Sequence, residues 1–105
     1  MSVVTRVQLA VKDVEAINAT ANRLKYETSV NDNRVLLKSM DGGHSFEIDL
    51  IKNEILFDNT IENKVNEFRR EYAVEAAKMS AHRAGYDVIE ERSPSGWVKL
   101  TIMEV

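Results

Sequence analysis

The chain has 105 residues, 44% of them hydrophobic and 30% charged, with one proline and four glycines; this is the length and composition of one globular domain and excludes a disordered or collagenous chain. It carries no cysteine, which removes a disulfide framework, a thiolate zinc centre, an iron–sulfur cluster and a cysteine nucleophile together, and fits a cytoplasmic address. Fourteen basic residues against seventeen acidic ones leave a net charge of −3, so no general attraction to nucleic acid or anionic lipid is expected.

The N-terminal stretch alternates: Val7, Leu9 and Val11 fall on one face while Arg6, Gln8 and Lys12 tend to the other. That period of two predicts a half-buried strand from Thr5 to Val11, and neither a secretory signal nor a membrane span. Asp13 is placed to cap a helix, along which Val14, Ile17, Ala21 and Leu24 form one apolar stripe, with Glu15 near its positive end. The glycosylation triplet Asn18-Ala19-Thr20 is read as chance. Tyr26, Thr28 and Val30 alternate again, "NDN" supplies turn residues and "RVLLK" continues as a paired strand. "DGG" at 41 to 43 makes the next turn, after which His44, Phe46, Ile48 and Leu50 share a face. "KNE" reverses the chain into Ile55-Leu56-Phe57, as a short hairpin or as a bulged continuation.

Asn59 with Glu62 three residues later resembles a capping box, and Ile61, Val65, Phe68, Tyr72, Ala76 and Met79 recur at helical spacing. One long helix is predicted, stopped by Gly85. "YDVIEE" and "WVKLTIM" then alternate as two strands joined by "RSPSG". The resulting order, β-α-β-β-β-(β)-α-β-β, joins most strands by hairpins. It predicts a single-domain α+β two-layer sandwich, a mainly antiparallel sheet covered on one face by two helices, ferredoxin-like or an elaboration of it.

Chemistry is sparse along this pattern. The two histidines, His44 and His82, are far apart and neither has a second histidine one helical turn away, so no metal site is expected. No serine sits in a Gly-x-Ser-x-Gly elbow, and "DGG" lacks the lysine and spacing of a phosphate loop. Glu90-Glu91 and the Glu47, Asp49 pair read as solvated strand edges, and Trp97 as a residue at a sheet rim beside a turn. On the long helix, Phe68 and Tyr72 belong to the packed stripe. Arg69 and Arg70 lie beside Glu67 and Glu71, and Glu75 precedes Lys78 by three, so the outer charges read as locally paired.

The segment "KVNEFRREYAVEAAKMSAHRAGYDVIEERSPSGWVKLTIM" resembles the C-terminal half of the hypothetical chloroplast reading frame thirty-five family, a domain of unknown function found in algal plastids, cyanobacteria, other bacteria and some cyanophages. Arg70-Glu71-Tyr72-Ala73, Gly85-Tyr86, Glu90-Glu91, Gly96 and Leu100 match its pattern in order. Met1-Ser2, Thr5, Lys12-Asp13 and Leu24-Lys25-Tyr26 look similar too. The chain departs from the pattern at Val3-Val4, at Arg70 and in "HSFEIDLIKNEILFD". The resemblance implies a small α+β protein without an assigned catalytic residue, sometimes encoded near an AAA-type ATPase, and a plastid stroma or host-cell interior as alternative addresses.

The expected function is a non-enzymatic protein-interaction or regulatory module with no cofactor and no membrane association. Its open sheet face or an unpaired edge strand would recruit a protein partner or a second copy. The alternative is a small ligand-binding domain or enzyme with a pocket between sheet and helices, using Arg70, Tyr72 or His82 as polar groups. A third reading is nucleic-acid binding through Arg69, Arg70, Lys78 and Arg83, against which the interleaved glutamates argue.

Overall fold

A computed structural model describes residues 4–8 and 13–104. In chain order these form β1 (Val4–Gln8), α1 (Val14–Arg23), β2 (Tyr26–Asn31), β3 (Arg34–Ser39), β4 (Ser45–Asp49), β5 (Glu54–Asp58), a 3-10 turn (Asn59–Ile61), α2 (Glu62–Arg83), β6 (Tyr86–Arg92) and β7 (Val98–Glu104). The fold class is the expected α+β sandwich. Five strands make one antiparallel sheet in the order β1-β5-β4-β3-β2, and among the described residues β6 pairs with β7 alone, as a separate two-stranded sheet. The first predicted strand is seen as β1; Leu9, Val11 and Lys12 lie outside the described residues, as do Met1, Ser2 and Val3.

Strand alternation decides which sheet face is dry. Val35 and Leu37 of β3, Phe46 and Ile48 of β4, and Ile55 and Phe57 of β5 are all buried, and their neighbours along each strand are not. Ala16, Ile17 and Ala21 of α1 and Val65, Phe68 and Tyr72 of α2 close over this face. Phe46 meets Tyr26 and Phe68 edge-to-face at 5.2 and 5.3 Å between ring centroids. Phe68 is fully buried, so its truncation to alanine would cost about 3–5 kcal/mol.

Two local signals resolve differently from the sequence pattern. Asp13 does cap α1, accepting from the Ala16 N–H at 3.2 Å, but the buried stripe is Ala16, Ile17, Thr20 and Ala21, while Val14 is exposed. Thr20 is tolerated at zero exposure because its hydroxyl donates to the Ala16 carbonyl at 2.6 Å. At α2 the capping box gives way to the 3-10 turn. Asp58 accepts from the Thr60 N–H at 2.9 Å, and the N-cap residue of α2 is Ile61, which makes no side-chain cap bond. Gly85 ends α2 as predicted, at φ 88 with its N–H on the His82 carbonyl.

Candidate functional site

Tyr72 is a structural hub. Its ring stacks on Phe68, with centroids 6.2 Å apart and planes 15° from parallel, and its hydroxyl accepts the Asp13 N–H at 3.0 Å. Burial pushes the Tyr72 hydroxyl above its ordinary pKa. Asp13 in turn takes a two-pronged contact from Arg83, at 2.8 and 3.3 Å, and that hydrogen-bonded guanidinium holds its carboxyl below the usual carboxylate range. The same Arg83 reaches Glu15 at 3.0 Å. Thus one tyrosine, one cap and one arginine lock the start of α1 to α2.

Beside this junction lies an open groove of about 1120 Å³ lined by Ala73, Ala76 and Ala77 with Arg69, Arg70 and Ser80. Of the sequence candidates, Arg70 and Tyr72 line it together; His82 is exposed on the last turn of α2 and does not. The groove is bordered by Gln8 at the end of β1, by the start of α1 and by α2. Local pairing of Arg69 and Arg70 is not what the helix does, because Glu71 turns to Arg92 and Arg23 instead. Among the described residues neither Arg69 nor Arg70 forms an ion pair.

The remaining charges knit α1, α2 and β6 into one network. Glu75, 8% exposed, accepts from Arg23 at 3.1 Å and from Lys78 at 3.4 Å. Glu90 accepts from Arg92 at 2.7 Å and Lys78 at 3.1 Å, while Arg92 also grips Glu71 at 2.7 Å. The Arg92 contact, reinforced by Lys78, pulls the Glu90 carboxyl down to about 2. A carboxylate so firmly ionised is suited to an ion-pair lash and unsuited to general acid work. Only the Glu75–Lys78 pair was read from the sequence; Glu90 and Arg92 are two apart on β6, and the other partners sit on different elements.

The other candidates disperse. Glu47 pairs with Arg34 at 3.0 Å, and Asp49 accepts the Ile51 and Lys52 N–H groups of the next turn. His44 is half-buried and shares a 2.6 Å hydrogen bond with the Tyr26 hydroxyl, which burial pushes up to about 12. No group of three metal-ligating side chains occurs among the described residues. The open face of the main sheet opposes Glu27 to Lys38 across strands and carries the Arg34–Glu47 pair, so it is a solvated surface with Leu36 and, at the β1 edge, Val4 as its exposed large apolar side chains.

The C-terminal hairpin is different. No residue of β6 or β7 is fully buried. Val88, Leu100 and Val98 are half-covered on the side of Glu90 and Arg92, which ion-pair with α2, whereas Ile89 is 46%, Ile102 55% and Trp97 58% exposed. Trp97 therefore stands out from the turn instead of packing at a sheet rim. Neither outer edge of the ribbon pairs with another strand among the described residues. No helix is long and apolar enough to cross a membrane among the described residues. No family model, curated protein or solved structure matches the chain.

Proposed function

We propose that the chain is a non-enzymatic protein-interaction module that presents its C-terminal hairpin to a protein partner or to a second copy of itself. The observation that carries this reading is the uncovered ribbon, whose Ile89, Trp97 and Ile102 stand exposed beside two unpaired strand edges. A lone two-stranded hairpin is marginal in water, and open edges with apolar side chains are what strand addition uses. In the family that the chain resembles, an AAA-type ATPase is sometimes encoded nearby, which makes such an ATPase the first partner to try. The address that goes with this reading is the cytoplasm, a host-cell interior or a plastid stroma.

The test is retention from nuclease-treated lysate of the cells that make the protein, comparing the tagged parent with a Trp97→Ser, Ile102→Lys chain. Stoichiometric retention of a second protein, or of an untagged copy, that the variant loses supports the reading. Equal retention by both chains, or retention of neither, contradicts it. The unpaired Arg69 and Arg70 over the α2 groove favour a second reading, an anionic ligand or nucleic-acid strand held there. Salt-steep retention on a polyanion column, abolished by Arg69→Glu with Arg70→Glu, would shift the assignment to it.

A further inference from the structure

We infer that β7 is a self-pairing edge, and that two copies of the chain join their hairpins into one four-stranded antiparallel sheet with a two-fold axis at Thr101. This rests on the interaction-module reading and names its partner. The phase of the β6–β7 ladder fixes which groups are free. Ser93 donates to the Trp97 carbonyl at 3.0 Å, which makes that pair a hydrogen-bonded one; the register then continues through Arg92↔Val98, Glu91↔Lys99, Glu90↔Leu100 and Ile89↔Thr101. Hydrogen-bonded and non-hydrogen-bonded pairs alternate. Lys99, Thr101 and Met103 therefore aim their backbone groups at β6, and Val98, Leu100, Ile102 and Glu104 aim theirs outward.

An added antiparallel strand must offer an outward set in phase with this one, and β7 does so to itself. Centred on Thr101, the pairing sets Val98 against Glu104 of the second copy, Leu100 against Ile102, Lys99 against Met103 and Thr101 against Thr101. All seven residues of β7 are used, Leu100 and Ile102 meet twice on the α2 side, and no like charges face each other. The same operation on β6 would set Asp87 against Glu91 twice, and like charges directly opposite are destabilising. The edge of β2 is polar apart from Val30 once Tyr26 is buried, and β1, the other edge of the main sheet, paired about its middle residue would set Arg6 against Arg6. Charge and phase thus select β7. Ile102, 55% exposed although it lies on the α2 side of the ribbon, gains the cover it lacks.

The contact is about 24 Å long for seven residues and falls at the small end of specific interfaces, below roughly 1,200 Å², so the dimer is reversible. Sedimentation of the full chain should move from the 11.9 kDa of one chain to twice that mass as concentration rises through the micromolar range. Ile102→Lys, a change at an exposed position, should weaken dimerisation at least ~10-fold with circular dichroism unchanged. The chain has no cysteine, so register can be read by cross-linking. Thr101→Cys should oxidise readily to a covalent dimer, since opposed non-hydrogen-bonded residues lie ~4.5 Å apart at Cα; Lys99→Cys, offset from its own copy by ~14 Å, should not. A chain that stays monomeric at high micromolar concentration, a dimer that survives Ile102→Lys, or cross-linking at 99 in preference to 101 would each overturn the self-pairing. Such a failure leaves the broader reading intact if the hairpin variant still loses a different protein in the lysate experiment, and removes it if nothing is lost.

Discussion

Single residues in this fold carry either strain or a junction. Asn53 does the first: it holds φ 54 in the turn between β4 and β5, and its buried Oδ1 has no hydrogen-bond partner among the described residues. Both features cost free energy, the left-handed backbone because of Cβ and the orphaned acceptor because of lost hydration. Asn53→Gly removes both, so denaturant unfolding should show a gain of about 0.5–1 kcal/mol in spite of the added freedom of the unfolded chain. Tyr72 does the second. Sequence spacing correctly put its ring in the core, but its bond to the Asp13 N–H spans 59 residues, and no local pattern encodes such a reach. His82 had only its residue type to recommend it, and α2 leaves it exposed outside the groove.

At the scale of elements, periodicity was the reliable signal. Val35, Leu37, Phe46, Ile48, Ile55 and Phe57 alternate cleanly because one face of the sheet is dry, and Val65, Phe68 and Tyr72 repeat at helical spacing because they cover it. What periodicity could not show is where α2 sends its charges. Glu71 looks like a partner for its helical neighbours and instead binds Arg92, twenty-one residues on, since a β-hairpin docked alongside brings a better-oriented guanidinium. This lash has a pH signature. Glu90 is held at about 2 by Arg92 and then Lys78, whereas an unfolded glutamate titrates near ~4.3. A depressed folded-state value means that the stabilisation is complete above the unfolded pKa and is lost as pH falls through the folded one. Glu71, lowered by the same arginine, acts in the same direction. Melting curves should therefore fall steadily between about pH 5 and pH 2. Glu90→Gln should cost roughly 1–2 kcal/mol at neutral pH and almost nothing at the acid end.

The whole molecule is longer than its size requires. Its radius of gyration is 14.6 Å, with extents of 50 × 34 × 23 Å, against roughly 13 Å for a spherical chain of this length. Periodicity does not foretell this shape, since β6 and β7 alternate like the core strands; the sheet order shows that they remain outside the five-stranded sheet. The hairpin keeps its position through ion pairs and half-covered aliphatic side chains, and it keeps its outer edge open. Amide hydrogen exchange along β7 tests that claim most directly, followed residue by residue at low and high protein concentration. Lys99, Thr101 and Met103, bonded to β6, should be protected at both concentrations, and Leu100 and Ile102 should exchange freely when dilute and become protected when concentrated. Free exchange at Leu100 and Ile102 at every concentration would contradict the account.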